Sequence, residues 1–201
     1  NITNDPDYKR DLDNQGIIFP NILPPNELKY ELDASLTTSF IGTLTALTDE
    51  KTDAHITYAR YRAVEFLKPE FREKYKNASV IGQSLASIYR THMVKRLESS
   101  FFAFKKSLHT LLRITEDMIG MFDENKVIIA PELNIKDMQF KGMDLNEIME
   151  YIINKGYSKE DFLYEAEDFD PKFYEMLQND RSVLQSLCNA WDNILEDPKL
   201  D

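Results

Sequence analysis

The residues between Leu97 and Met118 carry the strongest folding signal in this chain. Seven residues recur there in alternating steps of four and three, namely Leu97, Phe101, Phe104, Leu108, Leu111, Thr115 and Met118. Such heptad spacing is typical of a helix that buries one face against other helices. The sequence therefore predicts a mainly α protein, an irregular multi-helix domain with one long central helix over about residues 84–121.

The remainder of the chain is predicted to be a short extended start followed by shorter helices. Between Leu28 and Leu32 apolar and charged residues alternate, which favours one half-buried strand. Helical spacing begins at Ser35, and a second helix is expected over about residues 54–67, before Pro69. Val127 opens a short apolar run that could form another strand. We expect an extended or β segment only at these places.

The C-terminal third contains several signals for helix starts. Each pairs a side chain that can accept hydrogen bonds from backbone N–H groups with a helical pattern that follows it. The predicted N-caps are Asp144 with Glu147, Ser158 with Asp161, Asp170 before Pro171, and Asp180. Cys188 lies on the apolar face of the last predicted helix, where we interpret it as a small core residue.

Charge is distributed unevenly along the chain, whose formal net charge is −11. Residues 60–113 hold twelve Lys and Arg against four acids, whereas residues 116–180 hold seventeen acids against six bases. The basic segment would attract phosphate if the acidic segment points elsewhere. The other interpretation is that the two segments pair with each other or form solvated faces.

A row of basic residues is predicted on the face of the long helix that points away from the core. Lys95, Lys106 and Arg113 are spaced eleven and seven apart, so at about 100° per residue they lie within about 20° of one another. That direction is roughly opposite Leu97. We expect these three residues to contact a polyanion, with weaker candidates at Arg90, Arg96 and Lys105. Arg96 has a structural alternative, pairing with Glu98 or with the acidic third.

The chain contains no recognisable catalytic or metal-binding motif. The phosphate-binding pattern G-x-x-x-x-G-K-[ST] is absent, and three histidines with one cysteine do not give a zinc-ligand spacing. No run approaches the 18 apolar residues of a membrane span, and no signal peptide is recognisable, so we expect a cytoplasmic protein. We predict no catalytic residue, metal site or cofactor within the chain itself.

Three blocks of sequence resemble a known family. They are Phe19-Pro20-x-Ile22 with the strand and helix that follow it, the RLESS-x-x-AF block from Arg96 to Phe104, and DPKLD at 197–201. In this order they resemble the segment between the two motor lobes of bacterial Swi/Snf-like superfamily-two helicases. The similarity covers nearly the whole chain, and the RLESS block is its most specific part.

The resemblance implies that three segments of this chain belong to different parts of a longer protein. Residues 1–34 would be an extended tail of the first motor lobe, residues 35–195 a helical inter-lobe domain, and residues 196–201 the linker into the second lobe. The family's nucleotide-binding lysine, acidic metal-binding motif and arginine finger have no counterpart here. ATP and Mg²⁺ are therefore implied for the whole protein, whose activity would be that of a helicase-type ATPase, and not for this segment.

Two functions of different classes follow. The first is a non-catalytic inter-lobe domain that connects the motor lobes and contacts the backbone of duplex DNA. The second is an acidic helical module for protein–protein interaction, with residues 116–180 as its docking surface. Its aromatic anchors would be Tyr157, Phe162, Tyr164, Phe169 and Tyr174. Burial distinguishes the two, because anchors need an exposed patch.

Overall fold

The computed structural model describes residues 6–16, 24, 31–52, 54–75, 77–130, 133 and 135–199. The chain divides into two compact units, Asn1–Tyr30 and Glu31–Asp201. In the first unit helix α1 spans Pro6–Asn14, within the segment that we expected to be extended. Proline at the first helical position and Asp7 in the first turn are favourable helix-start residues, which explains this difference. The predicted strand at Leu28–Leu32 lies mostly outside the described residues.

The second unit is mainly helical, as the sequence predicts. Its α-helices are α2 (Ala34–Thr48), α3 (Pro69–Arg72), α4 (Ala78–Ser99), α5 (Phe101–Asp123), α6 (Ile135–Phe140), α7 (Leu145–Asn154), α8 (Lys159–Phe162) and α9 (Pro171–Asp192). The short strands β1 (Val127–Ile128) and β2 (Leu163–Tyr164) pair antiparallel. Further 3₁₀ helices span Ala59–Phe66, Glu73–Tyr75 and Ala166–Asp168.

Helices α5 and α9 form the centre of this unit and run antiparallel. Phe101 at the start of α5 packs edge-on against Trp191 near the end of α9, with 4.9 Å between ring centroids. At the other end Phe122 packs against Phe173, with centroids 5.5 Å apart. All seven residues of the predicted stripe are buried, so the apolar face inferred from the heptad spacing is confirmed.

The prediction of one continuous helix over residues 84–121 is wrong, because the chain breaks between α4 and α5. Ser100 is extended, at φ −161° and ψ 125°, and its side chain accepts a hydrogen bond from the Ala103 N–H at 3.3 Å. The Ser100 N–H in turn donates to the Arg96 carbonyl at 2.9 Å, which closes the end of α4. One serine thus ends the first helix and caps the second. The apolar register continues across the break, since Leu97 and Phe101 are both buried.

Two apolar clusters share the α5–α9 pair. One joins the first half of α5 and the second half of α9 to α2 and α4, and centres on Trp191. The other joins the opposite ends of α5 and α9 to β1, β2 and α7, and contains Phe122 and Phe173. Cys188 is buried in the first cluster, as the sequence predicts. Burial raises the pKa of its thiol to about 11.

The capping residues of the C-terminal third are confirmed except for one. Asp144 and Glu147 exchange side-chain to backbone hydrogen bonds of 2.9 Å each at the start of α7, which completes a capping box. At the start of α8 the Asp161 carboxylate accepts from the N–H and the hydroxyl of Ser158, at 2.9 and 2.8 Å. Asp170 accepts from the N–H of Lys172 at the start of α9. The expected N-cap at Asp180 is wrong, because α9 already begins at Pro171 and Asp180 lies in its middle.

The helix expected over residues 54–67 is a 3₁₀ helix that starts only at Ala59. Tyr58, immediately before it, has left-handed backbone angles of φ 54° and ψ 33°, so a helix cannot extend through this residue. The Thr57 and Ala59 N–H groups on either side donate to the Asp180 carboxylate at 2.6 and 3.0 Å. Asp180 is therefore a cap, but of a turn more than 120 residues before it rather than of its own helix.

Candidate nucleic-acid interface

The three principal candidates of the basic row are exposed in the structure. Lys95 lies near the end of α4, and Lys106 and Arg113 lie on α5. The break at Ser100 changes the angular argument, which assumed one helix. That argument now holds only for Lys106 and Arg113, which are two turns apart on α5.

A contact between α4 and α5 nevertheless joins the residues that follow Lys95 and Lys106 in the chain. Arg96 on α4 donates a hydrogen bond to the Ser107 hydroxyl on α5. In one continuous helix these two residues would be about 16 Å apart, so the contact requires α4 to fold back against α5. Lys95 and Lys106 each precede one partner of this contact in the chain. The turn between the helices thus brings the backbone positions of these two lysines closer than one continuous helix would.

The three weaker candidates are used within the fold. The Arg90 guanidinium forms an ion pair of 2.5 Å with Glu50. Arg96 is bound to Ser107, a partner that neither sequence interpretation named. Lys105 donates to the carbonyl of Ile194, just after the end of α9. Contacts to DNA from these residues would require breaking the bonds that they make here.

The electrostatic surroundings of the row are mixed. The positive charge of Arg113 acts on Asp117 one turn later, although burial dominates and raises the pKa of that carboxyl above its ordinary range. His109 contacts Asp192 on α9 at 2.9 Å, and both side chains are about half exposed. On α5 itself the bases precede the acids, since Lys106 and Arg113 are followed by Glu116 and Asp117. Lys95 and Lys106 have no ion-pair partner among the described residues.

Two of the blocks that carry the family resemblance meet at the α4–α5 break. The Asp197 carboxylate accepts a hydrogen bond from the Phe101 N–H at 2.7 Å. The Lys199 ammonium donates to the Leu97 carbonyl at 2.6 Å and lies 4.3 Å from the centroid of the Phe101 ring. Partial burial lowers the pKa of this ammonium. Residues of the DPKLD block thus hold the end of α4 and the start of α5 in the RLESS block.

The aromatic anchors proposed for an acidic docking surface are mostly core residues. Phe162, Tyr164 and Phe169 are at most 3% exposed and pack in the cluster that contains Phe122. Tyr157 and Tyr174 are partly buried against the same cluster. These rings do not form an exposed patch, so they cannot serve as the anchors that the alternative function needs.

The turn that Asp180 holds could not be predicted from the sequence. Burial raises the pKa of this carboxyl to about 6, although the two backbone N–H donors oppose the shift. A carboxylate that is only 2% exposed and faces two N–H groups stabilises the left-handed conformation of Tyr58. An acid within an acidic, helical stretch gives no local signal for this role.

Among the described residues no helix is long and apolar enough to cross a membrane. The same residues contain no group of three His, Cys, Asp or Glu side chains placed to hold a metal ion. No protein-family model, curated protein or solved structure matches this chain.

Proposed function

We propose that the chain is a non-catalytic helical domain between the two motor lobes of a bacterial, Swi/Snf-like ATP-dependent DNA helicase or translocase. The observation that carries this proposal is the contact between the RLESS and DPKLD blocks. Asp197 and Lys199 bind both sides of the α4–α5 break. In the family that the chain resembles, this last block leads into the second lobe. Movement of that lobe would therefore reach the helix junction directly.

Within such an enzyme the domain would also hold duplex DNA while the lobes open and close. Lys95, Lys106 and Arg113 are exposed and lie on two packed helices, where they can contact phosphates without reading the base sequence. ATP and Mg²⁺ would be bound by the flanking lobes. The enzyme would act in the cytoplasm on duplex DNA.

Fluorescence anisotropy with a labelled duplex at several salt concentrations tests the DNA contact. Three phosphate contacts give a slope of log affinity against log salt of about −2.7. We expect a slope between about −2 and −4 for the wild-type chain, and a slope near zero with greatly weakened binding for the variant Lys95→Glu, Lys106→Glu, Arg113→Glu.

The matched control reverses the charge of three exposed lysines in the acidic part of the sequence. It carries the same net charge change as the test variant and consists of Lys141→Glu, Lys159→Glu and Lys172→Glu. Equal affinities and slopes for the two triple variants would show that the effect is one of net charge only. Either that result or the absence of wild-type binding at low salt would overturn the assignment of these three residues.

A further inference from the structure

A polar pocket of about 390 Å³ lies between α4 and the chain around the 3₁₀ helix at Ala59–Phe66. Helix α4 contributes Gln83, Ser87 and Arg90, which share one helical face because they are spaced four and three apart. The opposite wall is formed by polar side chains of the loop after α2 and of the 3₁₀ helix, namely Glu50, His55 and Arg62. We call this site the Arg62–Arg90 pocket.

Positive charge in the pocket converges on a single carboxylate. The hydrogen bond and charge of Arg90 lower the pKa of Glu50, and the charges of His55 and Arg62 lower it further. Three basic side chains from separate elements thus act on the same two oxygen atoms. Such a field favours an anion at this position, and the anion present is the Glu50 side chain of the protein itself.

The ion pair with Arg90 holds the Glu50 carboxylate only weakly in the pocket. Its side chain is 65% exposed, and it lies just after the end of α2 rather than within a helix. An exposed ion pair of this kind contributes little stability, so an anion from solution can replace the carboxylate at small cost. The Nε atom of Arg90 is buried and has no hydrogen-bond partner among the described residues. The ion pair with Glu50 therefore leaves part of the hydrogen-bonding capacity of the Arg90 guanidinium unsatisfied.

We propose that the Arg62–Arg90 pocket binds a phosphate group, and that Glu50 occupies the position of this anion until it arrives. A guanidinium group presents parallel donors that match the oxygens of a phosphate, and the pocket contains two such groups. Gln83 and Ser87 add an amide and a hydroxyl, which are neutral donors. Glu65 already pairs with Arg62 through bonds of 3.0 and 2.8 Å, so Arg90 is the principal ligand.

Glu50→Gln, which neutralises the carboxylate that competes with phosphate, gives the most direct test of this proposal. Isothermal titration calorimetry with inorganic phosphate, at constant ionic strength, would compare wild type with Glu50→Gln. We expect binding to become roughly two- to fivefold tighter, because the phosphate no longer displaces an ion-paired carboxylate. Glu150→Gln, which neutralises an exposed acid on α7, is the matched control and should leave the affinity unchanged. Equal affinities for these two variants would overturn the proposal.

Removing the principal ligand should act in the opposite direction. We expect Arg90→Gln to weaken phosphate binding at least about tenfold, since a charge-assisted hydrogen bond is lost. Lys172→Gln removes the same charge from an exposed position on α9 and should have little effect. Fluorescence of the single tryptophan, Trp191, reports whether each variant is folded. If Arg90→Gln does not fold, the phosphate affinities of wild type, Glu50→Gln and Glu150→Gln still test the proposal.

The phosphate could come from a small molecule or from a DNA backbone, and a second titration separates these sources. With duplex DNA as the ligand, a backbone source requires Glu50→Gln to tighten binding and Arg90→Gln to weaken it more than Lys172→Gln does. If the source is a small phosphate compound, both pocket variants alter phosphate affinity while DNA affinity stays as in wild type. This inference does not depend on the proposed function, because phosphate binding is measured without DNA.

Discussion

The buried Asp180 makes the stability of the protein depend on pH in a direction opposite to that of most carboxyl groups. Asp180 is only 2% exposed, and its carboxylate accepts hydrogen bonds from the N–H groups of Thr57 and Ala59. Desolvation disfavours the charged form more strongly than these two bonds favour it. The pKa therefore rises from 3.8 to about 6 in the folded chain.

The sign of the effect follows from proton binding. Between pH 3.8 and about 6 the folded protein holds the Asp180 proton more tightly than the unfolded chain does. The contribution of this group to the free energy of unfolding is full below pH 3.8 and is lost as the pH rises to about 6. A difference of about two pKa units corresponds to at most about 3 kcal/mol.

The substitution Asp180→Asn isolates this contribution. Asparagine is neutral at every pH, so it removes the titration while keeping one oxygen that can accept from Thr57 or Ala59. We expect the free energy of unfolding of wild type, relative to that of Asp180→Asn, to fall by up to about 3 kcal/mol between pH 4 and 6.5. Urea titrations followed by the fluorescence of Trp191 measure this difference.

The constant offset between the two proteins is not the quantity of interest. Asparagine leaves one backbone N–H without an acceptor, which lowers stability at all pH values by about 1–3 kcal/mol. The slope of the difference with pH is what depends on the buried charge. Asp13→Asn removes an exposed carboxylate on α1 and controls for the loss of one charge. If wild type and Asp180→Asn give parallel curves from pH 4 to 6.5, the reasoning is refuted.

Three further outcomes can be measured with the same chain. Thr43→Val removes the oxygen that accepts a 2.8 Å hydrogen bond from the Trp191 indole, so we expect about 1–3 kcal/mol lower stability in urea titrations followed by circular dichroism. Asp197→Ala leaves the Phe101 N–H without its side-chain acceptor, and we expect a loss of about 1–2 kcal/mol and faster amide exchange at this position. Cys188 is buried, and burial raises the pKa of its thiol to about 11. Alkylation by iodoacetamide at pH 8 should therefore be slow in the native protein and fast in urea. Rapid alkylation of the native protein would contradict the core position of Cys188.

Local patterns in the sequence predict the helical class, the buried stripe and the starts of α2, α7, α8 and α9. The stripe from Leu97 to Met118 is buried because its spacing reflects packing, which does not depend on whether the helix is continuous. For the same reason the spacing could not reveal the break at Ser100. The signal for the break was Ser99-Ser100, since serine is a favoured N-cap, but an apolar register that runs through it points to one helix.

Long-range partners explain what sequence reasoning missed. Asp180 has the residue type of an N-cap and lies before an apolar helical pattern, so a local interpretation assigned it to its own helix. Its actual donors lie 123 and 121 residues earlier in the chain. The bond between Arg96 and Ser107 likewise forms only because α4 folds back on α5. No window of local sequence contains such pairings.

The positive balance of residues 60–113 overstates the charge that is available to a ligand. Arg60 donates to the Ile114 carbonyl at 2.7 Å, and Arg72 donates to the Leu67 carbonyl at the same distance. Lys105 binds a carbonyl just beyond the end of α9, where a cation is favoured because helix carbonyls carry partial negative charge. These bases are bound to backbone carbonyls within the fold. The DNA-binding proposal must therefore be judged on the exposed bases of the α4–α5 pair, and a count of lysines and arginines cannot replace the variants at Lys95, Lys106 and Arg113.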